Sequence, residues 1–133
     1  MAGADTPRPL AVIVAAYQSA STVGGVVSGV RRALPGASIY VVDDGSTDGT
    51  AGAVTGATVI AHARNQGKGA ALASGISRAV ADGAAVLATL DADGQHPPEM
   101  LPRLTAPVQR QEADLVLGSR TRGGSMPLAR RAT

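Results

Sequence analysis

An α/β fold with a mainly parallel central sheet is predicted by three features of this sequence. Five short runs are almost wholly aliphatic, segments of helical period separate most of them, and acidic turns stand where two of the runs end. Strands so uniformly apolar are buried on both faces, as in a parallel sheet covered by helices, rather than alternating between a core and water.

The elements follow in order. LAVIVAA, residues 10–16, reads as the first strand. In the segment after it, Ser or Thr can cap a helix whose apolar face is Val23, Val26, Val27, Val30 and Leu34, and Pro35 with Gly36 stops it. SIYVV (38–42) is the second strand and ATVIA (57–61) the third, with a weakly helical stretch between them. GAALASGISRAVADG (69–83) predicts a helix with Leu72, Ile76, Ala79 and Val80 on one side and Gly83 at its end, leading to a fourth strand, AAVLATL (84–90). A third helix begins at Pro97 or Pro98, where proline suits the first turn, and carries Met100, Leu101 and Leu104, with Pro107 set to end it early. DLVLG (114–118) is the fifth strand of the same sheet. This alternation calls for right-handed crossovers and helices on both faces, with ligands gathering beyond the carboxyl ends of the strands.

Composition narrows the function classes. The 133 residues make about one domain, and with no Phe or Trp and only Tyr17 and Tyr40 aromatic, the core must be aliphatic. The absence of Cys excludes a disulfide scaffold and a thiolate metal site. The opening MAGADTPRP has neither the charged start nor the apolar middle of a signal peptide, so a cytoplasmic protein is expected. The net charge of +2 is uneven: six Lys/Arg against eight Asp/Glu in residues 1–102 give −2, and six Arg against two acids in 103–133 give +4. The basic end reads either as a solvated terminus or as a contact for an anionic ligand or membrane surface. Nucleic acid is not expected, because there is no aromatic platform for bases and no zinc or helix-turn-helix pattern. The expected organisation is a disordered N-terminal tail (1–8), one domain (9–122) and a basic C-terminal tail (123–133).

The acidic turns point to chemistry. VVDDGSTDGT puts Asp43 and Asp44 at the carboxyl end of the second strand, and LDADGQHPPE puts Asp91 and Asp93 at the same end of the fourth. Four carboxylates on one rim repel one another unless a cation or hydrogen-bond donors offset them, and a hard divalent ion, Mg²⁺ or Mn²⁺, is a natural solution. Each turn also has a plainer reading, because Asp-Gly and Asp-Asp-Gly-Ser are common loop chemistry. An EF-hand is excluded, since Thr55 stands at the twelfth position counted from Asp44. RNQGKGAAL (64–72) fails the Walker pattern but leaves a glycine turn at a helix start, where backbone N–H groups and Lys68 can meet an anion. His62 and His96 lack a histidine partner at ligand spacing and read as structural or incidental.

Together, AVIVAAYQSASTV, VVDDGSTDGT, RNQGKGAAL, LDADGQHPPEM and LVLGSR, in this order, closely resemble the nucleotide-binding half of family 2 glycosyltransferases with the GT-A fold, a Rossmann-like sandwich. Gln95 with His-Pro-Pro-Glu is most similar to the dolichyl-phosphate and polyprenyl-phosphate sugar synthases. The resemblance covers residues 9–122 and implies inverting transfer of a sugar from a GDP- or UDP-sugar to an acceptor, with polyprenyl phosphate at the inner membrane face as the candidate. It implies that Ala15 and Tyr17 lie near the nucleotide and that Asp43 or Asp44 binds its base or ribose; Lys68, at the glycine turn, joins them as a candidate for the same nucleotide sugar through the anion it can meet. Asp91 and Asp93, with the backbone of Ala92 beside them and Gln95 completing the surroundings, would hold Mg²⁺ or Mn²⁺ and the diphosphate, and Arg120 would contact phosphate. Asp93 and Arg120 are the candidate catalytic residues, supporting departure of the diphosphate.

The sequence departs from the family where the first strand ends, with Ala15-Ala16-Tyr17-Gln18-Ser19 in place of the usual Pro-X-Tyr-Asn-Glu. Family members also continue well past Gly-Ser-Arg with acceptor-site elements. The alternative reading is therefore a non-catalytic or partner-dependent nucleotide-sugar module, with dimerisation or a partner chain covering exposed edges. The isolated chain is expected to bind donor but to transfer sugar slowly or not at all.

Overall fold

The computed structural model describes residues 8–117 and 128–130. Strands β1 (Leu10–Ala16), β2 (Ser38–Asp43), β3 (Thr58–Ala61) and β4 (Val86–Asp91) form an all-parallel sheet in the order β3-β2-β1-β4. Helix α1 (Val23–Ala33) joins β1 to β2, and α2 (Lys68–Ala81) carries the chain from β3 back across to β4. A 3-10 turn at Ala51–Ala53 stands where a weak helix is expected, and another at Pro98–Met100 leads into α3 (Leu101–Gln109).

The uniform strands divide their side chains between two cores. Val12, Val14, Ile39, Val41 and Leu90 pack with Val23, Val26, Val27 and Val30 of α1 and Leu101 of α3. Ala11, Ile13, Tyr40 and Val42 meet Ala71 and Ala79 of α2 on the other face. Because successive side chains point to opposite faces, a central strand covered on both sides has few polar positions to show, which is why β1 and the middle of β2, Ile39–Val42, carry no charged or small polar side chain. The one polar tip in this core, the Tyr40 hydroxyl, is 2.8 Å from Asp82 Oδ2 just beyond the end of α2.

Helix α2 lies close to the sheet. Ala71, Gly75 and Ala79 form its buried stripe, and a Cβ on Gly75 would stand 2.4 Å from Ile13 Cγ2. Val80, expected on the apolar side, is 55% exposed; one residue past Ala79 it is turned about 100° off the stripe. Leu72 and Ile76 are half-buried at the stripe's margins.

Three further expectations are corrected. Pro107 does not end α3, which runs on to Gln109; the Pro107 carbonyl instead accepts the Glu112 N–H at 2.9 Å and so helps to close the helix. The fifth strand, β5 (Leu115–Leu117), does not join the parallel sheet but pairs antiparallel with β6 (Leu128–Arg130), inside the segment expected to be a basic tail. A partner nearby in sequence satisfies its backbone groups without a long crossover. Neither Ser nor Thr caps α1 by its side chain: Thr22 makes no such bond, and the Ser19 carbonyl accepts the Val23 N–H at 2.9 Å.

At the other end of the domain, Arg8 is tied to the end of α3. Its backbone N–H donates to Gln109 Oε1 at 3.0 Å, its carbonyl accepts from Gln109 Nε2 at 2.9 Å, and its guanidinium donates to the Val108 carbonyl.

Candidate functional site

Strand pairing continues one residue past the strands and carries the acidic turns to one rim. Asp43 lies opposite Ala16 and Asp91 opposite Ala15 in the parallel register. The Asp44 N–H donates to the Ala16 carbonyl at 2.9 Å and the Ala92 N–H to the Ala15 carbonyl at 3.0 Å. Beyond these ends opens a cavity of about 400 Å³ bordered by Ala15, Ala16, Tyr17, Ser19, Asp44, Asn65, Gly67, Lys68, Ala71, Asp91, Ala92 and Asp93. It lies where the chain order reverses around β1, which is where open parallel sheets collect ligands.

Of the residues singled out from sequence, Ala15, Tyr17, Asp44, Lys68, Asp91, Ala92 and Asp93 border this cavity. Asp43 and Gln95 are not among its lining residues, and Arg120 lies outside the described residues. Asp43 is buried, and its Oδ1 accepts the Ser46 N–H at 3.0 Å, which fixes the turn. That turn needs Gly45: its φ is +77°, and a Cβ would stand 2.3 Å from the Asn65 backbone nitrogen.

Asp44 organises the loop opposite. Its Oδ1 accepts from His62 Nδ1 at 2.7 Å and from the Gln66 N–H at 2.9 Å, and its Oδ2 accepts the Gly67 N–H at 2.8 Å. Burial alone would raise its carboxyl, but hydrogen bonds from His62 and from the Gln66 and Gly67 backbone hold it below the ordinary value. The His62 side chain is 10% exposed, and its Nε2 is 2.8 Å from Ser74 Oγ on α2. A carboxylate only accepts, so Nδ1–H is the donor of the first bond, and Nε2 pairs with the Ser74 hydroxyl in the second. Of the two readings the sequence offers for His62, structural or incidental, the structure shows the first: it joins the ends of β2 and β3 to α2.

The carboxylates at the end of β4 sit across the cavity. Lys68, the first residue of α2, places Nζ 2.8 Å from Asp91 Oδ1, with the lysine side chain 60% and the aspartate side chain 30% exposed. Asp93 is exposed, and its Oδ1 accepts the Gln95 N–H at 2.9 Å. Thr22 Oγ1 donates to the Ala92 carbonyl at 2.6 Å, anchoring this turn to the start of α1. The β1 end is held in the same way: Gln18, at φ 51°, donates its N–H to Ser46 Oγ at 2.8 Å and accepts the Thr47 N–H at 2.7 Å. Asp48 accepts from the Thr50 hydroxyl and from the Ala20 and Thr50 backbone, bonds that lower its carboxyl, so its role is to shape the loop.

Among the described residues, no three His, Cys, Asp or Glu side chains gather as a complete metal cage. The donor set does fit a hard ion that keeps waters and takes substrate oxygens: two carboxylates one residue apart border an open cavity, and one of them already draws a cation, Lys68.

The fold is that of GT-A glycosyltransferases. Glucosyl-3-phosphoglycerate synthase from Mycobacterium tuberculosis, crystallised with Mn²⁺, UDP and phosphoglyceric acid, matches with a TM-score of 0.70 at 24% identity, over 92% of this chain and 46% of that one. The chain belongs to glycosyl transferase family 2, whose pattern is matched by residues 11–133. Among its relatives, polyprenol monophosphomannose synthase of Mycolicibacterium smegmatis is 40% identical over 124 residues, 86% of this chain and 46% of the relative. Undecaprenyl-phosphate mannosyltransferase of Micrococcus luteus is 36% identical over 122 residues, 86% of this chain and 49% of the relative. The chain thus spans about half the length of these curated relatives. Among the described residues, no helix is long and apolar enough to cross a membrane.

Proposed function

We propose that this chain binds a nucleoside diphosphate sugar in the rim cavity with Mg²⁺ or Mn²⁺ and serves inverting sugar transfer, with polyprenyl phosphate as the acceptor. The observation that carries the reading is the convergence of Asp91, Asp93 and Lys68 on one cavity at the carboxyl ends of β1 and β4. The names of the relatives support the acceptor, and Mn²⁺ with UDP in a protein of the same fold supports the donor.

In this reading Asp91 and Asp93 hold the ion, Gln95 completes its surroundings through the Asp93 turn, and Arg120 contacts phosphate. A divalent ion held there would supply charge neutralisation for the departing diphosphate. Lys68 and the first N–H groups of α2 offer positive potential to the same phosphates. Tyr17, 51% exposed at the lip, offers a face for the nucleoside. Asp44 positions the Gln66–Gly67 backbone and, with Asp43, stands on the side of the base or ribose. A phosphate acceptor is already ionised, so no general base is needed.

Calorimetry with GDP and UDP tests this reading. Binding is expected to be tighter with Mn²⁺ than with EDTA, and Asp93→Ala is expected to remove most of the difference. Equal affinities in the two buffers would contradict the metal assignment.

A further inference from the structure

Among the described residues that border the cavity, one is a cation, Lys68, and it rests on a carboxylate assigned to the metal. Lys68 Nζ is 2.8 Å from Asp91 Oδ1, while Asp93 beside it directs Oδ1 to the Gln95 N–H. A divalent ion approaching Asp91 must share or displace that ammonium, and two cations on one carboxylate repel. An incoming diphosphate changes the balance, because its oxygens can take the lysine and leave Asp91 to the metal. Lys68 is free to make this exchange: its side chain is 60% exposed, and it stands at the first position of α2, outside the buried stripe of Ala71, Gly75 and Ala79.

We propose that Lys68 is a built-in counter-ion that holds Asp91 against free metal and releases it to the metal when a diphosphate enters, so that metal and nucleotide bind as a coupled pair. The proposal rests on the reading of the cavity as a metal and nucleotide site. Coupling of this kind is reciprocal: whatever factor nucleotide adds to metal affinity, metal adds to nucleotide affinity.

The test compares wild type, Lys68→Met and Lys68→Arg as the whole 133-residue chain, with Mn²⁺ alone followed by electron paramagnetic resonance and then with GDP or UDP at saturating Mn²⁺. Because the pair is exposed, its removal is expected to tighten binding of Mn²⁺ alone by about two- to fivefold. Lys68→Met is expected to weaken nucleotide binding, so the coupling factor shrinks, while Lys68→Arg, which keeps the charge, stays near wild type in Mn²⁺ alone. Unchanged or weaker Mn²⁺ binding in Lys68→Met overturns the proposal, as does a Lys68→Arg variant that behaves like Lys68→Met. If wild type binds neither nucleotide with Mn²⁺, the functional reading falls as well; if it binds them and only the Lys68→Met effect is missing, the exchange alone fails.

Discussion

His62 shows how one side chain can set the geometry of a site it does not enter. Its ring spans Asp44 and Ser74, and Asp44 in turn holds the Gln66 and Gly67 N–H groups that precede Lys68. His62→Ala leaves a buried carboxylate oxygen and a hydroxyl short of a partner, an expected loss of about 1–3 kcal/mol of stability by urea denaturation. Asp44 also gives stability a pH dependence with a definite sign. Its folded carboxyl is held below the ordinary value, so the unfolded chain binds the proton more readily. Its contribution is complete above about pH 4 and drains away as pH falls through the folded value. Asp44→Asn is expected to be less stable at neutral pH and to show a shallower acid limb when denaturation is followed from pH 6 to pH 3. The Asp-Asp and Asp-X-Asp turns were legible in the sequence because a strand's carboxyl end predicts where they go. The His62 tether was not, because its two partners lie 18 and 12 residues away and no local spacing reveals them.

At the scale of elements, helical period located the three α-helices of the described residues and uniform apolar runs the four parallel strands, and the failures have physical causes. Counting Val80 with Ala79 treats neighbouring residues as sharing a face, whereas α2 buries a narrow stripe of small residues. Pro107 was read as a stop because proline lacks an N–H, yet near the end of a short helix one missing bond is tolerated while its carbonyl still accepts. The close seating of α2 makes Gly75 a sharp test. Alanine is the better helix former by about 1 kcal/mol, but its Cβ would meet Ile13 Cγ2 at 2.4 Å and Val42 Cγ2 at 3.0 Å. Both are methyl groups of β-branched strand residues and cannot swing aside, and overpacking of this kind costs about 1–3 kcal/mol. Gly75→Ala is expected to be net destabilising by chemical denaturation and to move α2, which begins with Lys68; a stabilised variant would show that the helix can lift freely.

For the whole molecule, the apolar runs announced strands buried on both faces; the central strands β1 and β2 bear this out through the two cores, whereas the edge strands β3 and β4 leave Val59 and Leu87 more than a third exposed. The antiparallel β5–β6 ribbon was not legible: an apolar triplet such as Leu115–Leu117 carries no information about which strand it joins. The central claim is that the turns ending β1 and β4, with the start of α2, form one metal and nucleotide site. Paramagnetic broadening of backbone amide signals by Mn²⁺ in the presence of GDP or UDP tests it most directly. Broadening is predicted to be strongest at Asp91–Gln95, to reach Ala15–Tyr17 and Gly67–Gly69, and to spare the opposite end of the sheet around Leu10, Ser38 and Val86. Broadening centred elsewhere, or none at saturating nucleotide, would contradict the account.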